Sequence, residues 1–238
     1  MKVAILAIGA HPDDVELGCG ATLAKEISLG KKVGILDLTA GELGTRGSAA
    51  IRAAEAEEAA AILGVSFREN LGFADGFFGN DKSHQISLIK HLRECRPEIV
   101  LCNAPEDRHP DHSKAAALVT EACFLSGLHK IQTTLDGKPQ AAWRPKRVYH
   151  YIQWQPLSPD FALDVSGFMD TKLAAVKAYK SQFYDPDSKE PVSPISTKNF
   201  LDSVTYRAQD LGRLIGTEAA EGFVSGSYIA VSSLDKLL

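Results

Sequence analysis

Two patterns alternate along the first two thirds of the chain. Short apolar runs at Val3–Gly9, Val33–Leu38, Phe67–Leu71 and Ile99–Cys102 suit buried strands. Between them, Glu16–Leu29, Ser48–Leu63, His84–Cys95 and Ser113–Ser126 space their apolar residues as helices do. Gly30, Gly64 and Gly127 stand where helix C-caps fall, and Pro97 blocks continuation of the third helix. This β-α order predicts an α/β fold with a mostly parallel sheet and helices on both faces. A fifth strand is expected over Arg147–Gln153, after a turn-rich connector at Asp136–Pro145.

The remainder is less regular. Phe161–Val165 reads as a strand, Thr171–Phe183 and Phe200–Ile215 as helices, and Glu221–Val231 as short edge strands. Tyr184–Lys198 contains Pro186, Pro191 and Pro194 and reads as a loop, of a length that is often functional. No repeat or low-complexity tract interrupts the chain. One domain over residues 1–238 is expected, with the regular α/β part up to about residue 155 and a loop-and-helix elaboration after it.

Composition adds exclusions. The 238 residues carry 26 Lys+Arg against 30 Asp+Glu, a net charge of −4, which argues against a basic nucleic-acid binder. No apolar run approaches the roughly 20 residues that cross a bilayer. Val3–Ala10 has a large residue, Ile8, where an export signal needs a small one, so it reads as a strand. The four cysteines form no Cys-x-x-Cys pair, and a reducing cytoplasm is expected. Glu55, Glu57 and Glu58 read as a solvated helix face.

The chemistry concentrates at two strand ends. Ala10-His11-Pro12-Asp13-Asp14-Val15-Glu16 follows the first strand and opens the first helix. A dinucleotide fingerprint is disfavoured there: Gly18-Cys19-Gly20 is followed by Leu23, and three carboxylates would repel a pyrophosphate. Taken alone, the turn fits helix capping and divalent-metal binding equally well. Glu106-Asp107-Arg108-His109-Pro110-Asp111-His112 follows the fourth strand. In strand order 3-2-1-4-5 the first and fourth strands are neighbours across the switch point, so both clusters face one crevice. That convergence favours a metal site at the carboxyl ends of strands one and four.

Two His and a carboxylate suit a catalytic zinc that keeps an open position. They also suit the facial triad of Fe(II) oxygenases, which usually occupy all-β scaffolds. The spare carboxylate and spare His fit a hydrolase, which needs a base and an oxyanion donor. A non-catalytic sugar- or nucleotide-binding module is the alternative of another class. Gly41–Gly47 is a candidate substrate loop or simply a flexible turn, and Asp75-Gly76 a candidate for sugar hydroxyls or a plain turn. His84, His91, His129 and His150 stand alone and read as surface or packing residues, and Trp143 and Trp154 as core.

The two His-Pro-Asp motifs resemble the LmbE-like family of zinc-dependent de-N-acetylases, which act on N-acetylglucosamine conjugates on a Rossmann-like scaffold. Asp37-Leu38-Thr39, Leu43–Arg52, Ser181-Gln182-Phe183 and Ala220-Glu221-Gly222-Phe223 are similar to its bacillithiol-biosynthesis branch, which deacetylates N-acetylglucosaminyl malate. The resemblance implies His11, Asp14 and His112 as zinc ligands and Asp13 as general base. It implies His109, in protonated form, as the group that stabilises the tetrahedral intermediate, with Asp111 orienting it. Arg52 and Arg108 match residues that hold the acidic aglycone. The bottom-up alternative for Arg52 is a surface helix charge. Some relatives use a late-loop Tyr near the oxyanion; here Phe200 falls at that place and Tyr184 lies nearby in sequence. The branch further implies a homo-oligomer, a hexamer.

Overall fold

A computed structural model describes residues 2–234. Strands β1 (Ile5–Gly9), β2 (Val33–Thr39), β3 (Phe67–Phe73) and β4 (Ile99–Asn103) alternate with helices α1 (Asp14–Ser28), α2 (Ala49–Leu63), α3 (Lys82–Cys95) and α4 (Pro110–Leu125). A small hairpin of β5 (Thr134–Leu135) and β6 (Lys138–Pro139) precedes β7 (Arg147–Tyr151). The chain continues through β8 (Phe161–Asp164), α5 (Met169–Ala178), α6 (Lys198–Ile215) and β9 (Ala220–Ser225).

The main sheet has the order β3-β2-β1-β4-β7-β9-β8. Pairing is parallel from β3 to β7 and antiparallel at β9 and β8. The five parallel strands thus follow the expected 3-2-1-4-5 order. Every residue of β1 and β2 is buried, because helices cover both faces. Successive side chains of β1 enter opposite layers. Ile5 and Ala7 pack with Val15, Leu23, Ala59 and Val176 of α1, α2 and α5. Leu6 and Ile8 pack with Leu88, Leu92, Leu118 and Val119 of α3 and α4.

Helix α1 is broken at Cys19 (φ −146°, ψ 21°). Tyr151 lies against this break, and a Cβ on Gly18 would stand 2.1 Å from its ring. At the break the Leu17 carbonyl and the Ala21 and Thr22 amides find partners outside the helix. Lys172 Nζ takes the Leu17 carbonyl at 2.8 Å, and Glu221 accepts from the Ala21 and Thr22 amides at 3.2 and 2.7 Å. A buried ion pair therefore stands in for the missing helical bonds.

Several elements differ from expectation. Helix α5 ends at Ala178, because Tyr179 and Phe183 leave the helix to enter the core. Among the described residues only one strand, β9, forms after α6, and it ends at Ser225. The connector before β7 holds the β5–β6 hairpin, turned through Asp136 and Gly137, both with positive φ. The C-cap of α4 is Ser126, and Gly127 is instead pressed against Arg144. Glu55 is not solvated: it is buried and accepts from Ser181 N and Oγ at 2.7 Å each.

Candidate active site

The β1–α1 and β4–α4 turns lie side by side because β1 pairs with β4. They share a cavity of about 320 Å³ that reaches His11, Asp13, Asp14, His109 and His112 together. His11, His109 and His112 each offer a ligand atom within 4.8 Å of the others. Asp14 joins them, with its Oδ2 3.4 Å from His11 Nδ1 and its Oδ1 3.2 Å from His112 Nε2.

Asp14 is held on every side. The His11 amide and Asn103 Nδ2 each donate to its Oδ2 at 3.0 Å, and Gln153 Nε2 donates to Oδ1 at 2.6 Å. Burial alone would favour its neutral form. His112 and His11 overcome that and hold the carboxyl well below the usual range. Asp14 is therefore an anionic ligand candidate and not a helix cap.

Asp107 fixes His112 by accepting from Nδ1 at 2.9 Å, leaving Nε2 towards Asp14. A carboxylate behind a ring nitrogen is the arrangement that orients histidine ligands on metals. The donor set of two imidazoles and one carboxylate fits a divalent ion. The charge state agrees. Burial lowers His112, but Asp14 and Asp107 prevail and bring it up to about 9. His11 is also raised well above its ordinary value, against burial, by Asp111, Asp14 and Asp75. Without a metal these rings take protons, as expected where a cluster carries surplus negative charge.

Asp13 serves a different purpose. It occupies the N-cap of α1 with φ 113° and makes no side-chain cap bond, so the capping reading fails here too. A non-glycine residue in this region is strained, at about 1–3 kcal/mol. Its carboxylate instead accepts from Arg52 Nη2 at 2.8 Å. Burial pushes Asp13 up to about 7, with Asp14 and Glu16 adding to the rise and Arg52 opposing it.

Arg52 departs from one of its two expected roles. It is not a surface charge: it is buried, lines the cavity and donates to Asp13, to Pro12 O at 2.5 Å and to Gly41 O at 3.4 Å, while its Nε has no partner. Gly41 (φ 64°) makes room, since a Cβ there would lie 2.0 Å from Arg52 Nη1. Arg108 remains exposed at the rim, stacked 4.7 Å over Trp154. Trp154 stacks on Phe200, and Phe200 on Phe183, so the guanidinium ends a ladder of rings rooted in the core. Trp154 lines the cavity and is not a core residue.

Asp111 also differs from expectation. Its carboxylate does not orient His109: it accepts from Gly76 N at 2.7 Å and Lys114 Nζ at 3.0 Å, and lies 3.5 Å from His11 Nε2. The Asp111 backbone N–H does that work, donating to His109 Nδ1 at 3.3 Å. The His109 proton is thereby assigned to Nε2. Burial, with His11 and His112 nearby, holds His109 below its ordinary value, which favours the neutral ring over the expected imidazolium.

Asp75 is more than a turn residue. It accepts from His11 Nε2 at 3.0 Å and from Leu43 N at 2.9 Å, tying the Gly41–Gly47 loop to the centre. Leu43, Gly44, Thr45 and Arg46 of that loop line the cavity, as does Phe200, while Tyr184 is exposed outside its lining. Sequence reasoning gave no role to Asn103, Asp107 or Gln153. Asn103 and Gln153 sit at or just past the carboxyl ends of β4 and β7, and that position was the available signal.

The sheet topology and the His/Asp cluster define a doubly wound α/β protein with a candidate metal centre. Residues 6–123 match the family described as PIG-L, GlcNAc-PI de-N-acetylase. Diacetylchitobiose deacetylase of Thermococcus kodakarensis is 30% identical over 95% of this chain and 85% of its own length. Among solved structures, the conserved protein TT1542 of Thermus thermophilus superposes with a TM-score of 0.84 and 37% identity, covering 97% of this chain and 98% of that one. The inhibitor-bound N,N'-diacetylchitobiose deacetylase of Pyrococcus horikoshii gives 0.80 and 27%, covering 98% and 88%. The chain belongs to this family of LmbE-like deacetylases, hydrolytic enzymes acting on an amide. Among the described residues, no helix is long and apolar enough to cross a membrane.

Proposed function

We propose that the chain is a zinc-dependent de-N-acetylase of a small N-acetylglucosaminide with an acidic aglycone, N-acetylglucosaminyl malate of bacillithiol biosynthesis. The observation that carries the reaction is a buried carboxyl, Asp13, brought up to about 7 beside the His11–Asp14–His112 cluster. A proton carrier with a pKa near the working pH is what amide hydrolysis needs. The exposed Arg108 guanidinium on the Trp154 face supports an acidic substrate group at the rim.

His11, Asp14 and His112 would hold the ion. Zinc bound there supplies a Lewis acid and lowers the pKa of water. Asp13 accepts the proton of the attacking water and later delivers it to the departing sugar amine. Arg52 keeps that carboxylate aimed and favours its charged form before attack. His109 donates from Nε2 to the developing oxyanion, a role suited to a neutral, preoriented ring. Lys114 and the Gly76 N–H neutralise Asp111, which with Asp75 fixes His11.

The same reading includes a homo-oligomer, hexameric in assembly. The exposed Leu214 on α6 and Tyr228 and Leu234 after β9 supply apolar surface for it. Light scattering gives the mass directly. Four buried free thiols are in keeping with a reducing, cytoplasmic compartment.

The test is acetate release from metal-depleted protein, with zinc and Fe(II) restored separately. N-acetylglucosaminyl malate and free N-acetylglucosamine are compared. Zinc is expected to restore turnover without O₂, with the malate conjugate preferred. Dependence on Fe(II) and O₂, or tight metal binding with no acetate from either sugar, overturns the reading.

A further inference from the structure

Arg46 is a buried cation that no carboxylate among the described residues neutralises. It is 5% exposed and lines the cavity of the candidate active site. Nη2 donates to Ser188 Oγ at 2.5 Å, Nε is buried with no partner, and among the described residues no carboxylate forms an ion pair with it. Arg52 also leaves Nε without a partner but has the Asp13 carboxylate as its counter-charge, and two further arginines are satisfied in full. Arg68 gives Nε and Nη2 to the two oxygens of Asp37, at 2.7 and 2.8 Å. Arg93 has no carboxylate partner, but its three nitrogens donate to the Ser126, Ile131 and Leu128 carbonyls and to Thr133. Arg46 has neither solution. A desolvated guanidinium without a counter-charge is unfavourable unless a ligand completes it.

The segment around Arg46 is fixed. Gln182 Nε2 donates to the Arg46 carbonyl at 2.8 Å, and the Gly47 amide donates to Glu190 at 2.8 Å. Three residues earlier, Leu43 N is held by Asp75, which also accepts from His11. The guanidinium is thus pre-set relative to the catalytic cluster, and its Nε/Nη2 edge is half filled by a neutral hydroxyl. The same edge of Arg68 takes a carboxylate in two-point fashion, which is the geometry guanidinium prefers.

We infer that Arg46 is the anchor for a carboxylate on the substrate's aglycone, received on its Nε/Nη2 edge in place of the Ser188 hydroxyl. This rests on the de-N-acetylase reading above. Arg108 at the rim and Arg46 in the wall then give a dicarboxylate two separate cationic contacts.

The test compares wild type, Arg46→Gln and Arg46→Lys in the metal-loaded protein. kcat/KM for acetate release is measured on N-acetylglucosaminyl malate and on the uncharged methyl N-acetylglucosaminide. Wild type is expected to favour the malate conjugate. Arg46→Gln is expected to lower that preference by about 10- to 100-fold, chiefly through KM, since charged hydrogen bonds are lost. Arg46→Lys keeps the charge without the fork and should lose less. Calorimetry of malate alone should show weaker binding to Arg46→Gln by a similar factor, independent of turnover. If the preference and malate affinity stay within about twofold in Arg46→Gln, the inference is overturned while the de-N-acetylase reading stands. If wild type shows no preference for the malate conjugate, the malate reading fails. The Arg46 site is then decided by calorimetry alone: malate affinity lost in Arg46→Gln supports it, and unchanged affinity overturns it. Should Arg46→Gln not fold, the Lys variant carries the same comparisons.

Discussion

Arg52 Nη2 donates to the Asp13 carboxylate at 2.8 Å, with both side chains buried. The pair spans the β1–α1 turn and helix α2, and it opposes the burial that raises Asp13 towards neutrality. Arg52 lowers the pKa of Asp13 against burial. Removing it in Arg52→Met shifts Asp13 upward from about 7, so the base is protonated at neutral pH. The acid limb of the kcat/KM profile should move to higher pH, and turnover at neutral pH should fall by about 10²-fold or more. Arg52→Lys should keep the limb closer to wild type. A loss of activity with an unmoved acid limb would separate Arg52 from proton transfer.

Metal content distinguishes ligands from groups that only meet substrate. Asp14→Asn and His112→Ala should lose the ion on gel filtration. His109→Ala should keep it while kcat falls by about 10²- to 10³-fold, the usual cost of an oxyanion donor. Asp13→Ala should likewise abolish turnover with metal retained. Asp107→Ala should weaken metal affinity by about 10- to 100-fold, because it leaves His112 Nδ1 without its carboxylate. Metal loss in His109→Ala would make that ring a ligand.

Much of this centre was legible from spacing. Two polar clusters directly after two strands, in an alternating chain, imply one crevice, and the β1–β4 pairing brings them together. What spacing could not reveal was how each side chain is spent. Arg52 and Arg46 are six residues apart, and nothing local tells that one meets a carboxylate from the β1–α1 turn while the other meets none. That depends on Gly41 opening a path for Arg52. Asp111 was assigned to its sequence neighbour His109, but the helix turn sends its carboxylate towards Gly76 and Lys114. The late segments were harder still. Tyr179 and Phe183 read as helical by periodicity, yet burying both rings requires the chain to leave the helix.

The metal-free protein should respond to pH through His112. Folding raises its pKa to about 9, because Asp14 and Asp107 favour the charged ring more than burial disfavours it. The resulting stability is fully present below the ordinary histidine pKa and is lost as pH rises through about 9. A metal ligand must be neutral, so the loaded protein lacks this contribution. Tm of the metal-free chain should therefore fall across this window by more than that of His112→Gln. Equal pH dependence in the two would show that the ring is not charged in the metal-free fold.

The Lys172–Glu221 pair replaces the broken hydrogen bonds of α1 and should be costly to dismantle. Lys172 Nζ holds Glu221 Oε1 at 2.5 Å as well as the Leu17 carbonyl, and both side chains are almost fully buried. Lys172→Met leaves a buried carboxylate with only the Ala21 and Thr22 amides, and should destabilise by about 3–5 kcal/mol. Replacing both charges with apolar residues often restores stability at buried ion pairs. Here it should not do so fully. In Lys172→Met/Glu221→Leu the Ala21 and Thr22 amides and the Leu17 carbonyl lose their partners, each at about 1–3 kcal/mol. Chemical denaturation of the single and double variants measures this. Full recovery in the double variant would mean that α1 can close its break without the pair, and that the kink beneath the Asp13–Asp14 turn is not maintained by Glu221.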